Sequence, residues 1–229
     1  MLLKESRVDL KNLPLLDKIH PEGHRWVLGL ALATLFFLFL GWGWLWKLSL
    51  LLGVFCGAFF RDPQRFPPFR EGTLVSPADG RVLSVTRVDG PELAGLEEST
   101  KVSIFMSVFN VHVNRSPCAG RVLAVHYTPG KFFSANLDKA AEENERNLVV
   151  MEDERGNRLA FMQIAGLIAR RIVCFVGPDD RLEKGERFGL IRFGSRVDLY
   201  LPLETEIDIS VGQHVKAGET IIGYLPNPD

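Results

Sequence analysis

A long uncharged stretch near the N-terminus constrains the fold of this chain more than any other feature. No charged side chain occurs from Trp26 to Trp46, and after Lys47 the run from Leu48 to Phe60 is again uncharged. One membrane span needs about 20 apolar residues, so the stretch is too long for one span and slightly short for two. Glycines break helices and tryptophans favour the membrane interface, which predicts a turn within 41–46. We therefore predict a membrane helical hairpin over residues 23–61.

Basic residues flank this stretch on both sides and predict its orientation. They are Lys18, His24 and Arg25 before the stretch, and Arg61, Arg65 and Arg70 after it. By the positive-inside rule, both ends face the cytoplasm. We expect residues 1–22 to form a cytoplasmic segment and residues 62–229 to form a domain on the cytoplasmic side of the cell membrane. A single tilted span and a buried helix pair of a soluble protein are the alternatives.

The rest of the chain has the pattern of short β-strands. Runs rich in β-branched and apolar residues alternate with Gly, Pro, Asp and Asn. The clearest runs are 80–85, 101–106, 120–125, 148–151 and 159–164. The segments 76–82 and 116–122 share the pattern Ser-Pro-x-x-Gly-Arg-Val, which indicates an internal duplication. We predict a mainly β (α+β) fold, in which 206–223 resembles the flattened barrel of biotinyl and lipoyl carrier domains.

Charge and cysteine content exclude other classes of protein. The net charge of −1 gives no basis for nucleic-acid binding. The three cysteines, Cys56, Cys118 and Cys174, are odd in number and lack the spacing of metal ligands. We expect reduced thiols in a protein that faces the cytosol, and no metal site.

Three polar motifs supply the parts of an activated serine. Asp79 lies in Ser76–Gly80, His112 in Phe109–Pro117, and Ser195 follows Gly194 in the C-terminal third of the chain. An imidazole can take the proton of a hydroxyl, and a carboxylate can fix the tautomer of that imidazole. Glycine admits strained backbone angles that expose a peptide carbonyl to attack.

Each of these residues alone also has an ordinary interpretation. Asp-Gly is a strong turn signal, His112 lies in an alternating run typical of a strand, and most Gly-Ser pairs are turns. The combination of the three motifs, in this order, favours a catalytic site.

These motifs, together with four further blocks, resemble the phosphatidylserine decarboxylase family, in particular its short, membrane-associated bacterial branch. The further blocks are Phe59–Arg65, Asn144–Asn147, Ile164–Val173 and Gly218–Tyr224. The resemblance covers most of the chain. It implies that the precursor cuts itself between Gly194 and Ser195 into a β chain, 1–194, and an α chain, 195–229.

The resemblance also implies the chemistry. Ser195 attacks the carbonyl of Gly194 with His112 as base and Asp79 orienting His112. The resulting ester eliminates, and Ser195 becomes a covalent pyruvoyl group that forms a Schiff base with the substrate amine and accepts electron density as carbon dioxide leaves. Long-form members carry a second histidine where this chain has Phe109, so a two-histidine mechanism does not carry over.

The implied partners are a phospholipid substrate, the membrane and the two chains of one precursor. The resemblance leaves open whether the protein forms a homo-oligomer.

The implied reaction converts phosphatidylserine to phosphatidylethanolamine. Another serine-headed phospholipid as substrate is the nearest alternative. A membrane-anchored biotinyl-like binding module would leave the Gly-Ser motif unexplained. A lysostaphin-like zinc peptidase needs a His-x-His pair. The residues two positions before and two positions after His112 are instead Asn110 and Asn114.

Two further segments are candidates for lipid contact. Lys131–Phe133 follows a Pro-Gly turn, and Arg170-Arg171 is a basic pair. A core phenylalanine pair and a solvated arginine pair are the respective alternatives.

Overall fold

A computed structural model describes residues 18–134, 143–167, 171–192 and 194–227. The chain divides into two compact units, Met1–Pro63 and Gln64–Asp229.

The N-terminal unit contains two helices, α1 (Pro21–Phe39) and α2 (Gly43–Phe59). Proline at the first position of α1 suits a helix start, because its missing N–H would have had no partner there. The two helices pack together, and Ser49 Oγ of α2 donates to the carbonyl of Leu30 in α1 at 3.0 Å. The predicted helix pair is therefore confirmed, with a turn that ends slightly earlier than expected.

Hydrophobic side chains cover the outside of this pair. Of the described helices, α1 is long and apolar enough to cross a bilayer, and α2, with 17 residues, is shorter. Leu32, Phe39 and Leu51 are among the large apolar side chains that stay exposed. Insertion in a membrane remains a prediction.

The C-terminal unit is built almost entirely of strands. Their bounds are β1 Thr73–Val75, β2 Gly80–Asp89, β3 Glu98–Met106, β4 Val113–Arg115, β5 Gly120–Thr128, β6 Arg146–Asp153, β7 Arg158–Ala165, β8 Ile172–Cys174, β9 Arg181–Leu182, β10 Arg187–Ile191, β11 Ser195–Leu201, β12 Glu206–Ile207, β13 His214–Val215 and β14 Ile221–Tyr224. The five runs predicted as strands lie within β2, β3, β5, β6 and β7, so the mainly β prediction is confirmed.

These strands form one large sheet and two small ones. The large sheet is antiparallel, with the order β13-β2-β3-β11-β7-β6-β5-β9. The small sheets have the orders β1-β14-β12 and β4-β10-β8. Alternate residues of β11, Val197, Leu199 and Leu201, are fully buried in the core between the sheets. Since side chains alternate along a strand, Ser195 points to this core face.

The predicted internal duplication is confirmed in three dimensions. Ser76 and Ser116 each donate a side-chain hydrogen bond of 2.7 Å to the carbonyl two residues ahead. The carbonyl of Ser76 accepts from Gly218 N and that of Ser116 from Gly185 N, both at 2.8 Å. The two repeats therefore form the same turn. The biotinyl and lipoyl-like barrel remains a prediction.

Candidate active site

Ser195 opens β11, one of the two central strands of the large sheet. It lies opposite Met106 of β3 and Ala165 of β7, and it is fully buried. Among the residues that the structure describes, Ser195 Oγ has no hydrogen-bond partner. Leaving a buried hydroxyl unsatisfied costs about 1–3 kcal/mol. The hydroxyls of Ser99, Ser103 and Thr205 share this feature, and Ser195 differs from them because it follows Gly194, which contacts His112.

Gly194 holds a backbone conformation that other residues adopt with difficulty. Its φ is +64°, in the left-handed region. A Cβ placed on Gly194 would meet no atom within 4 Å. The glycine is therefore favoured by the conformation of the backbone and not by crowding, at the residue directly before Ser195.

His112 lies buried just before β4 and contacts the amide of Gly194. Its Nε2 is 3.3 Å from the amide nitrogen of Gly194, and its Nδ1 is 3.0 Å from the carbonyl oxygen of Asn110. The Gly194 N–H donates to Nε2, so Nε2 carries a lone pair and the proton lies on Nδ1, which donates to Asn110. This assignment follows from the two contacts. The structure thus places the lone pair of a neutral imidazole, on Nε2, beside Gly194.

Asp79 lies in a neighbouring turn, and its carboxylate holds two partners. Asp79 Oδ2 accepts from Arg65 Nη2 at 2.8 Å, and Oδ1 accepts from the amide of Ala217 at 2.7 Å. The other Arg65 nitrogen donates to Glu219 at 3.0 Å. The contact at Nδ1 of His112 is the Asn110 carbonyl, so the predicted role of Asp79 as the group that orients His112 stays a prediction.

The internal duplication shows that the turn itself does not need this carboxylate. Ala119 occupies the place of Asp79 in the second repeat, and both turns form the same hydrogen bonds. The interpretation of Asp79 as an ordinary turn residue is therefore weakened. The Asp79 turn also joins the strand of His112, because Arg115 N donates to the Pro77 carbonyl at 3.0 Å.

A buried chain of amides ties the His112 segment to the sheet on the core side. Gln163 Nε2 donates to Asn114 Oδ1 at 2.9 Å, and Asn147 Nδ2 donates to Gln163 Oε1 at 3.1 Å. Gln163 lies on β7 opposite Val197, which follows Ser195 by two residues on β11. The side chains of buried amides connected in this way have few alternative positions. The chain therefore fixes β4, and with it His112, relative to β7 and β11.

Asn144 performs a similar function at the end of β7. Asn144 Oδ1 accepts from Phe133 N, and its Nδ2 donates to the carbonyls of Phe133 and Ala165, all at 2.8 Å. Since Ala165 is the register partner of Ser195, this buried amide connects a loop directly to the strand end beside the nucleophile.

A buried ion pair follows Ser195 on the opposite face of the sheet. Arg196 Nε and Nη2 each donate to one carboxylate oxygen of Asp198 at 2.6 Å, and both side chains are almost fully buried. Burial, followed by the charge of Asp198, raises the pKa of Tyr200 to about 12. Residues two apart on a strand share a face. The spacing of Arg196 and Asp198 could therefore have predicted that these two side chains lie side by side.

Other functional contacts had weaker signals in the sequence. Arg65 was counted only as a basic residue beside the apolar stretch, and its contacts with Asp79 and Glu219 span 14 and 154 positions. The Asn110 contact is made by a backbone carbonyl, which every residue has. Phe193, Arg170 and residues 135–142 lie outside the described residues.

Known proteins resemble this chain over most of its length. The profile of a family described as phosphatidylserine decarboxylase matches residues 52–223. A phosphatidylserine decarboxylase proenzyme of Ruegeria pomeroyi is 51% identical over 212 residues, which are 92% of this chain and 96% of that protein. The proenzyme of Nitrobacter winogradskyi is 50% identical over 216 residues, 93% and 87% of the two chains. The proenzyme of Rickettsia typhi is 47% identical over 206 residues, 89% of each chain.

Proposed function

The chain belongs to the phosphatidylserine decarboxylase family, and we propose that it converts phosphatidylserine to phosphatidylethanolamine through a pyruvoyl group that it makes from Ser195. The observation that carries this proposal is the buried Ser195 hydroxyl without a hydrogen-bond partner among the described residues, behind a glycine in the left-handed conformation. His112 Nε2 accepts a hydrogen bond from the Gly194 N–H, one residue before the peptide to be cut.

The proposed self-cleavage is a sequence of proton transfers and bond changes at Gly194 and Ser195. His112 Nε2 takes the hydroxyl proton of Ser195, and Oγ adds to the carbonyl carbon of Gly194. The C–N bond then breaks, the departing nitrogen takes the proton back from the imidazolium, and an ester joins the two residues. Loss of the α proton of Ser195 expels the carboxylate of Gly194 as the new end of the 1–194 chain. Water then replaces the nitrogen of the remaining dehydroalanine, which releases ammonia and leaves the pyruvoyl group on residues 195–229.

The surroundings of Ser195 fit such a group. The conversion removes both Oγ and the nitrogen of Ser195, and the hydroxyl has no structural hydrogen bond to lose among the described residues. Strand β11 is held on both sides by β3 and β7, so the new chain end stays in place after the cut. The pyruvoyl group supplies an electron-accepting carbonyl for decarboxylation.

The remaining site residues have supporting roles in this proposal. The Asn110 carbonyl holds the proton of His112 on Nδ1, so Nε2, beside Gly194, carries the lone pair that accepts and returns a proton at residue 195. Asp79 is held by Arg65 in the turn that is hydrogen-bonded to β4, the strand after His112, and its proposed role is to orient His112. Both residues position His112 as the base at the start of the cleavage.

We further propose that residues 23–61 anchor the chain in the cell membrane, with residues 62–229 in the cytoplasm. The exposed apolar surface of α1 and α2 and the basic residues on both flanks support this arrangement. The substrate is a membrane lipid, so an anchor keeps the enzyme at the surface where the substrate occurs.

The decisive experiment uses phosphatidylserine labelled at the serine carboxylate. Wild-type protein in detergent should release labelled carbon dioxide without added pyridoxal phosphate and in the presence of a chelator. Ser195→Ala should release none, whereas Ser210→Ala, at an exposed serine with no assigned role in the site, should match the wild type. A requirement for pyridoxal phosphate, or activity in Ser195→Ala, would contradict the proposal. Competition with other serine-headed phospholipids tests the choice of head group.

A further inference from the structure

Four loops of the C-terminal unit leave the large sheet at the edge where Ser195 lies. Strand β3 ends at Met106, β7 ends at Ala165, and both are register partners of Ser195, the first residue of β11. Strand β6 begins at Arg146, next to the end of β7. Residues 107–112, 131–134, 143–145, 166–167, 171, 192 and 194 therefore lie in segments that leave the sheet at this edge, which we call the site edge.

Large hydrophobic side chains are exposed on three of these loops. Phe109 is 77% exposed, Leu167 is 66% exposed and Phe133 is 38% exposed. Each lies within a few residues of a side chain or strand end that contacts the cleavage site: Phe109 precedes His112 by three positions, and Leu167 follows Ala165 by two. Single exposed hydrophobic residues are common. Several of them at the edge that holds the nucleophile indicate an interaction surface.

Phe133 is presented by a rigid support. Both its N–H and its carbonyl bond to the fully buried side chain of Asn144, which also binds the carbonyl of Ala165. The loop position of Phe133 is thus coupled to the strand end beside Ser195. The backbone of Phe133 is therefore held in place while its side chain stays partly exposed.

Cationic side chains accompany these hydrophobic ones. Lys131 Nζ lies 5.6 Å from the centre of the Phe133 ring and 2.9 Å from Glu143, on an exposed part of the surface. Arg171 is exposed where the chain enters β8. Aromatic and aliphatic side chains mixed with Lys and Arg are the composition that sits at the boundary between lipid head groups and acyl chains.

From this arrangement we infer that Phe109, Phe133, Leu167 and Lys131, which we call the rim, dock the catalytic unit on an anionic phospholipid bilayer. The rim acts in addition to the helix pair and rests on the proposed function. The carboxylate of a diacyl lipid must reach a fully buried residue 195, and pulling the acyl chains out of the bilayer is costly. Bringing the site edge down to the membrane shortens that path, and the positive charges favour a surface rich in phosphatidylserine.

The test compares full-length variants that differ only at exposed apolar positions. Leu167→Ser and Phe109→Ser remove rim contacts. Leu93→Ser is the matched control, since Leu93 is 57% exposed on the 3-10 turn Glu92–Ala94, which joins β2 and β3 at the opposite edge of the sheet. Decarboxylation is measured in mixed micelles as the mole fraction of long-chain phosphatidylserine is varied, and also with dicaproyl phosphatidylserine kept below its micelle concentration.

Each rim substitution should raise the interfacial KM for the long-chain lipid by about three- to tenfold, the effect of withdrawing one partly inserted side chain. Turnover of the monomeric dicaproyl lipid should stay close to wild type, and Leu93→Ser should change neither. An unchanged interfacial KM in both rim variants, or an equal rise in Leu93→Ser, would overturn the inference. An equal loss with the dicaproyl lipid would also overturn it, because the side chains would then contact the head group and not the membrane.

Self-cleavage separates this inference from the proposed function. It is intramolecular and needs no bilayer, so the rim variants should be cut between residues 194 and 195 as completely as the wild type, which also shows that they fold. Failure of the wild-type chain to cut itself or to release carbon dioxide counts against the proposed function and not against the rim.

Discussion

Replacing Gly194 by alanine should slow self-cleavage through the backbone alone. The φ of +64° at Gly194 costs an L-residue roughly 1–2 kcal/mol. A Cβ there meets no atom within 4 Å, so no steric term adds to this strain. We expect cleavage to require this positive φ, so the cost adds to the activation free energy of cleavage in Gly194→Ala. Cleavage of this variant should therefore slow by about 5- to 30-fold, because each 1.4 kcal/mol is about tenfold in rate.

The matched control is Gly156→Ala. Gly156 has a φ of +86°, and a Cβ there also meets no atom within 4 Å. It lies in the turn between β6 and β7, at the edge of the sheet far from Ser195. Both substitutions should therefore lower the free energy of unfolding by about 1–2 kcal/mol, but only the one at Gly194 should slow cleavage.

The assay follows the loss of uncut precursor with time after synthesis in a cell-free system. Unfolding by urea is measured for each glycine variant in a Ser195→Ala background, so that cutting does not make the transition irreversible. A Gly194→Ala precursor that is destabilised yet cut at the wild-type rate would refute the role of backbone strain. Equal slowing in Gly156→Ala would attribute the effect to global stability.

Three further outcomes test two residues of the candidate site and one buried thiol of the core. His112→Ala should slow precursor cleavage by about 10⁴-fold or more, whereas His126→Ala, at an exposed position of β5, should be cut normally; normal cutting of His112→Ala would make His112 structural. Asp79→Asn should slow cleavage more than Glu219→Gln, although both remove a carboxylate from Arg65, and equal effects would mean that Asp79 serves only to hold Arg65. Burial strongly raises the pKa of the Cys118 thiol, so iodoacetamide at pH 8 should label Cys118 in urea but not in the native protein, and mass mapping that finds rapid native labelling would contradict this burial.

Much of the fold could be predicted because its signals are local. The apolar run from Trp26 to Phe60, in which Lys47 is the one charged residue, indicated two helices, and they form at 21–39 and 43–59. Alternating apolar residues indicated strands, and the repeated Ser-Pro-x-x-Gly-Arg-Val pattern indicated two equivalent turns. Each of these features is decided by residues close together in the chain.

The order of the strands and the supports of the site could not be predicted in the same way. Strand β11 lies between β3 and β7 through pairings that span 30 to 100 positions, and no local pattern encodes such a partner. The tautomer of His112 is set by the backbone carbonyl of Asn110, which carries no signature in the sequence. Asn144 stood out only as part of a family block, and its contacts with Phe133 and Ala165 depend on the fold.

The mass of the intact purified protein tests the central claim most directly. The account predicts two chains, residues 1–194 and residues 195–229, the smaller with the mass of a pyruvoyl N-terminus in place of serine and with no free amine for sequencing. Borohydride in the presence of phosphatidylserine should add the lipid to that smaller chain at residue 195, and Ser195→Ala should give one chain of full length. A wild-type protein that remains a single chain of 229 residues while it releases carbon dioxide from phosphatidylserine would contradict the account.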